Sequence, residues 1–198
     1  MNSPAGRRLD AELSVLEAKS WLALTNAPEA ALVLERVLQN NPDDPAVWEM
    51  VFNAHLAFGS ATNALELLDR MLAKTPDNAA ALNNKAALLI QSQHGADAIP
   101  ILNHALTLTN RPAMRLNRAI ALLQAKDFTA AEKAYLDLET TAVDQFTVQY
   151  GLAQIAEARQ DTNAAIHFYS KCLTNAAPAS LKWRNARARL DSLKSPVK

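Results

Sequence analysis

Five alanines recur along the chain at a nearly fixed interval. Ala30, Ala64, Ala98, Ala131 and Ala165 are separated by 34, 34, 33 and 34 residues. Other columns keep the same phase. Four residues after each alanine stand Leu34, Leu68, Leu102, Tyr135 and Tyr169, and three further on Val37, Met71, Ala105, Leu138 and Cys172. Upstream, two columns read Ala18, Phe52, Ala86, Ala119, Ala153 and Trp21, His55, Leu89, Leu122, Ala156. Such a period marks a chain made of one repeated unit, too small to bury its apolar face without stacking on neighbouring copies.

The unit is clearest between Trp48 and Pro76. Trp48, Val51, Phe52 and His55 fall at i, i+3, i+4 and i+7, one face of a helix, and Ala64, Leu68 and Met71 repeat that logic in a second helix. Gly59-Ser60 separates the two as a turn followed by an N-cap, and Pro76 ends the unit. Only four residues of the chain are glycine, and 49% are hydrophobic, which favours helix and leaves ample apolar surface to bury.

These residues carry a resemblance. The order W-x2-L-G-x2-Y, A-x3-F, P resembles the tetratricopeptide repeat, with Val51, Phe52, His55 and Leu68 standing for its Leu, Gly, Tyr and Phe. The resemblance covers roughly 11–178. It implies an all-α, right-handed superhelical solenoid of five helical hairpins at about 11–44, 45–78, 79–111, 112–145 and 146–179. A capping helix over 179–194 carries the narrow apolar stripe Trp183, Ala186, Leu190 and Leu193. Residues 1–10 read as a flexible N-terminus and 195–198 as a disordered tail.

Local signals fit the hairpins. Pro28, Pro45 and Pro112 suit first helical turns, where the missing N–H costs nothing, and Pro42 and Pro76 sit just past second helices. Asp44, Asn78, Asp127 and Asp161 are expected N-caps. Pro100 falls inside a second helix and is expected to remove a helical hydrogen bond. The single deletion lies near 107–112 and predicts a tighter junction between the third and fourth hairpins.

Little in the chain suggests chemistry. It has no phosphate loop, no GxGxxG and no HExxH. His55 and Cys172 occupy packing columns, and His104 and His167 lack carboxylates at metal spacing. The expectation is a non-catalytic protein without cofactor, metal site or small-molecule substrate. No apolar run reaches the ~18 residues of a membrane span. Net charge is zero but uneven: residues 179–198 hold six Lys/Arg against Asp191 alone.

The resemblance places the binding surface on the concave groove lined by the first helices. By helical angle one column there reads Val15, Glu49, Asn83, Leu116 and Tyr150. Its neighbour reads Leu16, Met50, Asn84, Asn117 and Gly151, followed by Lys19, Asn53, Ala87, Ile120 and Gln154, then Leu22, Leu56, Ile90, Leu123 and Glu157. Asn53, Asn83, Asn84 and Asn117 can each donate and accept, which suits the backbone of an extended peptide. Apolar Val15, Leu16, Met50, Leu56, Leu116, Ile120 and Tyr150 are expected to be open to a partner. Groove columns lack Lys or Arg from the third hairpin onward, against the carboxylate clamp that some repeat proteins of this kind use on chaperone tails. Arg111, Arg115 and Arg118 form a basic stripe whose heads are expected beside acids of adjacent helices.

The expected function is therefore a scaffold that binds a protein, as a peptide or partner helix, in the groove. Other readings stay open: the repeat part of a larger enzyme or of a bacterial envelope or secretion assembly, nucleic-acid binding through the basic final helix, and homodimerisation. Location is undetermined: cytoplasmic if Met1 is the native start, periplasmic or secreted if a leader has been removed.

Overall fold

The computed structural model of the chain describes residues 3–141, 143–178 and 180–195. Among these residues the fold is all-α. Eleven helices follow in order: α1 Pro4–Ala23, α2 Ala27–Asn40, α3 Pro45–Ala57, α4 Ala61–Lys74, α5 Ala79–Gln91, α6 Gly95–Leu108, α7 Pro112–Gln124, α8 Phe128–Leu136, α9 Gln145–Ala158, α10 Thr162–Thr174 and α11 Leu181–Lys194. They divide into two compact units, Met1–Pro76 and Asp77–Lys198.

The first unit comprises α1 to α4. Its core is built from the repeat columns: Ala18, Ala30, Leu34, Val51, Phe52, Ala64 and Leu68 are all buried. Trp48 is buried too, and its indole N–H donates to the Pro42 carbonyl at 3.0 Å. Residues 4–10 are helical rather than frayed. The Ser3 hydroxyl accepts from the Gly6 amide, and Arg8 binds both oxygens of Asp44 at 2.9 and 3.2 Å, tying the first turns of α1 to the start of α3. The sequence signal for this was weak because the two partners lie 36 residues apart.

The second unit comprises α5 to α11. Ala119, Leu122, Ala131, Tyr135, Leu138, Val148, Leu152 and Ile155 form one buried cluster, and Phe146, Ala153, Ala165, Tyr169, Cys172, Ala186 and Leu190 belong to the next. Helix α11 covers that second cluster with Ala186 and Leu190 buried and Leu193 packed at its margin. Its basic residues are largely engaged. Lys182 pairs with Asp144 at 2.6 Å, Arg187 with Asp191 at 2.9 Å, and Arg189 with Glu157 at 2.6 Å. The part of the expected tail at 196–198 lies outside the described residues.

Local chemistry follows the sequence closely. Asp44, Asn78, Asp127 and Asp161 each accept a backbone N–H at 3.0 to 3.1 Å at the head of their helices. Ser60 occupies the N-cap of α4 but makes no capping bond with its side chain. Three residues, 109–111, join α6 to α7, against four, 41–44, between α2 and α3, as the deletion requires. Pro100 lies inside α6, which nevertheless runs unbroken to Leu108.

Each hairpin also turns through one left-handed residue. Thr25, Gly59, Gln93, Lys126 and Gln160 have φ between 60° and 71° and are spaced like the alanines. Only one of the five is glycine, so the other four hold a conformation that L-residues disfavour. Hydrogen bonds hold the turn: in the first hairpin Asn26 N–H reaches the Trp21 carbonyl at 2.9 Å, and in the second Ser60 N–H reaches that of His55 at 2.9 Å.

Candidate functional site

The first unit gathers five of the expected groove residues. Val15 and Lys19 on α1, with Glu49, Met50 and Asn53 on α3, line a cleft of about 510 Å³. Three small residues of α3, Ala46, Ala54 and Ala57, complete its wall. They were not singled out from the sequence, although alanines on a groove-facing helix are what keeps such a cleft open. Lys19, Glu49 and Asn53 are exposed, Met50 is half-buried, and Val15 is buried at 6% exposure. The cleft thus has an apolar floor with an ammonium, a carboxylate and an amide at its rim. Leu56 and Leu16 are exposed at 40% and 55% but do not line it.

In the second unit the expected residues are half-buried, apart from Gln154, which is exposed. The Asn117 amide donates to the Asn83 carbonyl oxygen at 2.9 Å, so part of the asparagine hydrogen-bonding capacity is used between α5 and α7. Asn84 makes no side-chain hydrogen bond to a described residue. Leu116 and Ile120 pack against the α7–α9 core rather than standing open. Tyr150 stacks on Phe146 at 5.5 Å and meets Tyr169 edge-on at 5.4 Å. The expected apolar groove surface is therefore partly consumed by stacking of successive hairpins. Helical angle shows which way a residue leaves its own helix but not how near the next helix comes.

Glu157 anchors the end of this face. It accepts from the Tyr169 hydroxyl at 2.5 Å and pairs with Arg189, joining α9, α10 and α11. Burial, with the Glu157 bond next, pushes the Tyr169 phenol well above its usual range. That group is a structural strut with no acid–base capacity near neutral pH.

The remaining candidates resolve as follows. Cys172 is fully buried, and burial pushes its thiol up to about 12, which disfavours the reactive thiolate. His104 meets Asp77 at 2.9 Å, a partner not foreseen from the sequence. The arginine stripe differs from expectation: Arg118 donates to the Asn103 amide oxygen at 2.6 Å instead of a carboxylate, and the Arg115 Nε is buried without a partner. Among the described residues no cluster of His, Cys, Asp and Glu is arranged to hold a metal ion, and no helix is long and apolar enough to cross a membrane.

Comparison with known proteins fits this geometry. Family models described as tetratricopeptide repeat match residues 15–79, 85–145 and 116–180, and a second such model matches 55–113. No curated protein matches the chain. Among solved structures, a thermophilic repeat protein of Thermus thermophilus is similar with 20% identity and a TM-score of 0.61, over 92% of this chain and 98% of that one. The MamA protein of Desulfovibrio magneticus RS-1 is similar with 16% identity and a TM-score of 0.68, over 83% of this chain and 93% of that one. PilW, a type IV pilus biogenesis factor, has 16% identity and a TM-score of 0.65 over 92% of each chain. At these identities the likeness concerns the fold alone. With the family models spanning most of its length, the chain belongs to the tetratricopeptide repeat family.

Proposed function

We propose that the protein is a non-catalytic interaction scaffold that binds a protein partner, as an extended peptide or a helix, along the exposed faces of its first helices. The observation that carries this reading is the α1–α3 cleft, where Val15 and Met50 offer an apolar floor and Lys19, Glu49 and Asn53 offer charge and hydrogen bonds at the rim. A concave site with an apolar base and a few polar groups suits side chains of a bound segment, with the amide free to meet its backbone. On the second unit, Asn84, Asn117 and Gln154 would serve the same purpose with Leu116, Ile120 and Tyr150 beside them.

The test is affinity capture from the native cell with wild type and two variants, Met50→Glu/Asn53→Ala and Asn84→Ala/Asn117→Ala. Each variant is first checked for unchanged thermal unfolding. The expected result is a partner recovered by wild type and depleted by the variants. Equal recovery by all three would remove the first-helix faces as the binding surface.

A further inference from the structure

On the side of α3 away from the α1–α3 cleft, α2 and α4 leave a second cavity of about 460 Å³. Its apolar lining includes Leu32, Leu38 and Leu67. The last two are buried, whereas Leu32 is 63% exposed at the mouth. His55 of α3 also lines it. That residue is 9% exposed, yet its ring makes no hydrogen bond to any described residue. Its ring nitrogens are not sealed from water, so they meet solvent in the cavity and no protein group requires an imidazole here. Packing does not demand it either, since the same column holds Leu89 and Leu122 in later hairpins.

The charges around the cavity are equally informative. Arg70 binds both oxygens of Glu35, at 2.7 and 3.0 Å, and that pair is neutral as a whole. Glu66 makes no hydrogen bond or ion pair with a described residue and leaves the cavity with one net negative charge. Burial lowers the pKa of His55, so near neutral pH the ring carries a lone pair able to accept. The cavity thus presents an aliphatic trough ending in an acceptor without a protein partner, with a second carboxylate, Glu66, on its α4 wall that shares the field of Arg70 and leaves one net negative charge.

We propose that the α2–α4 cavity binds a basic side chain, lysine or arginine, of a partner protein, with its aliphatic stem along Leu32, Leu38 and Leu67 and its cationic head donating to His55 and Glu66. The site is distinct from the α1–α3 cleft and does not depend on it. Its occupant is defined by the negative charge of Glu66, the acceptor on His55 and the length of apolar wall between them and solvent.

The test uses the full chain and follows the His55 ring by proton–carbon NMR. The probe is n-butylammonium chloride, compared with sodium chloride, n-butanol and sodium butyrate. The expected result is a saturable shift of the His55 resonance with the amine alone. Glu66→Gln, a change at an exposed position, should weaken binding by about fivefold. Equal response to n-butanol would mean an apolar pocket only, a stronger response to butyrate would invert the assigned charge, and no saturable shift would remove the site; each overturns the proposal. A final comparison sets acetyl-Ala-Lys-Ala-amide against the same peptide with Nε-acetyl-lysine. Binding of the first and not the second supports a presented side chain. Failure of the lysine peptide where the free amine binds would overturn the protein-partner assignment.

Discussion

Gly151 lies directly under the ring of Tyr135. A Cβ at position 151 would stand 2.6 Å from the tyrosine Cε2 and 2.7 Å from its hydroxyl oxygen, distances that no real contact tolerates. Tyr135 occupies a column filled by Leu34, Leu68 and Leu102 in the first three hairpins, and it is only 1% exposed. The extra bulk of a phenol ring in a leucine position needs space, and the next hairpin supplies it by omitting a side chain. The two residues are one packing decision distributed over α8 and α9.

The predicted consequence is a coupled pair of substitutions. Gly151→Ala should destabilise the protein by roughly 1–3 kcal/mol through overpacking, even though alanine is the better helix former by about 1 kcal/mol. Tyr135→Leu, which restores the residue of the earlier hairpins, should reduce that penalty when combined with Gly151→Ala. Urea unfolding of the two single variants and the double variant closes the cycle. Strict additivity of the two effects would show that the residues do not share space.

The left-handed turn residues give a second prediction, this one about backbone strain. Thr25 has φ of 60° and is β-branched, the least favourable kind of residue for that region. Thr25→Gly should stabilise the protein by about 1 kcal/mol, the relief of strain exceeding the entropy cost of a glycine in the unfolded chain. Gly59 has φ of 71°, and a Cβ there would meet nothing within 4 Å. Gly59→Ala should therefore cost about 1 kcal/mol from conformation alone. Thermal unfolding of both variants reads the two effects, and a stabilising Gly59→Ala would refute the account.

The fold was legible because its determinants are periodic. Columns such as Ala30 to Ala165 survive in a single sequence without knowledge of any contact, and caps such as Asp127 and Asp161 act within three residues. What lay hidden depends on distances between helices. The Asn83–Asn117 bond joins positions 34 residues apart, and the burial of Gly151 is set by a tyrosine one helix away. His55 read as a filler of a packing column, which it is by burial. Only with α2 and α4 in place does its ring line a cavity beside Glu35 and Glu66. The sequence therefore marked the first-helix faces as informative but could not tell open positions from those closed by the next hairpin.

His55 also makes stability depend on pH, with a sign fixed by its surroundings. Burial lowers its pKa from the ordinary 6.5, and the carboxylates of Glu35 and Glu66 only partly oppose that. A histidine with a depressed folded-state pKa is neutral in the native protein where the unfolded chain already takes up a proton. The unfolded state then binds more protons, so stability rises with pH across that interval. No effect is present above the unfolded value, and the penalty grows as pH falls from about 6.5 through the folded-state pKa. Glu35, held below its usual range first by the Arg70 hydrogen bonds, adds its own loss only at lower pH, as pH falls from the ordinary 4.5 of the unfolded chain through its lower folded-state value. Chemical denaturation at steps between pH 7.5 and pH 5 (roughly the span over which a histidine titrates) should show falling stability in wild type. His55→Leu, the residue of the third and fourth hairpins at this column, should flatten the profile over the same range. A profile that keeps its slope in the variant would assign the pH dependence to other groups.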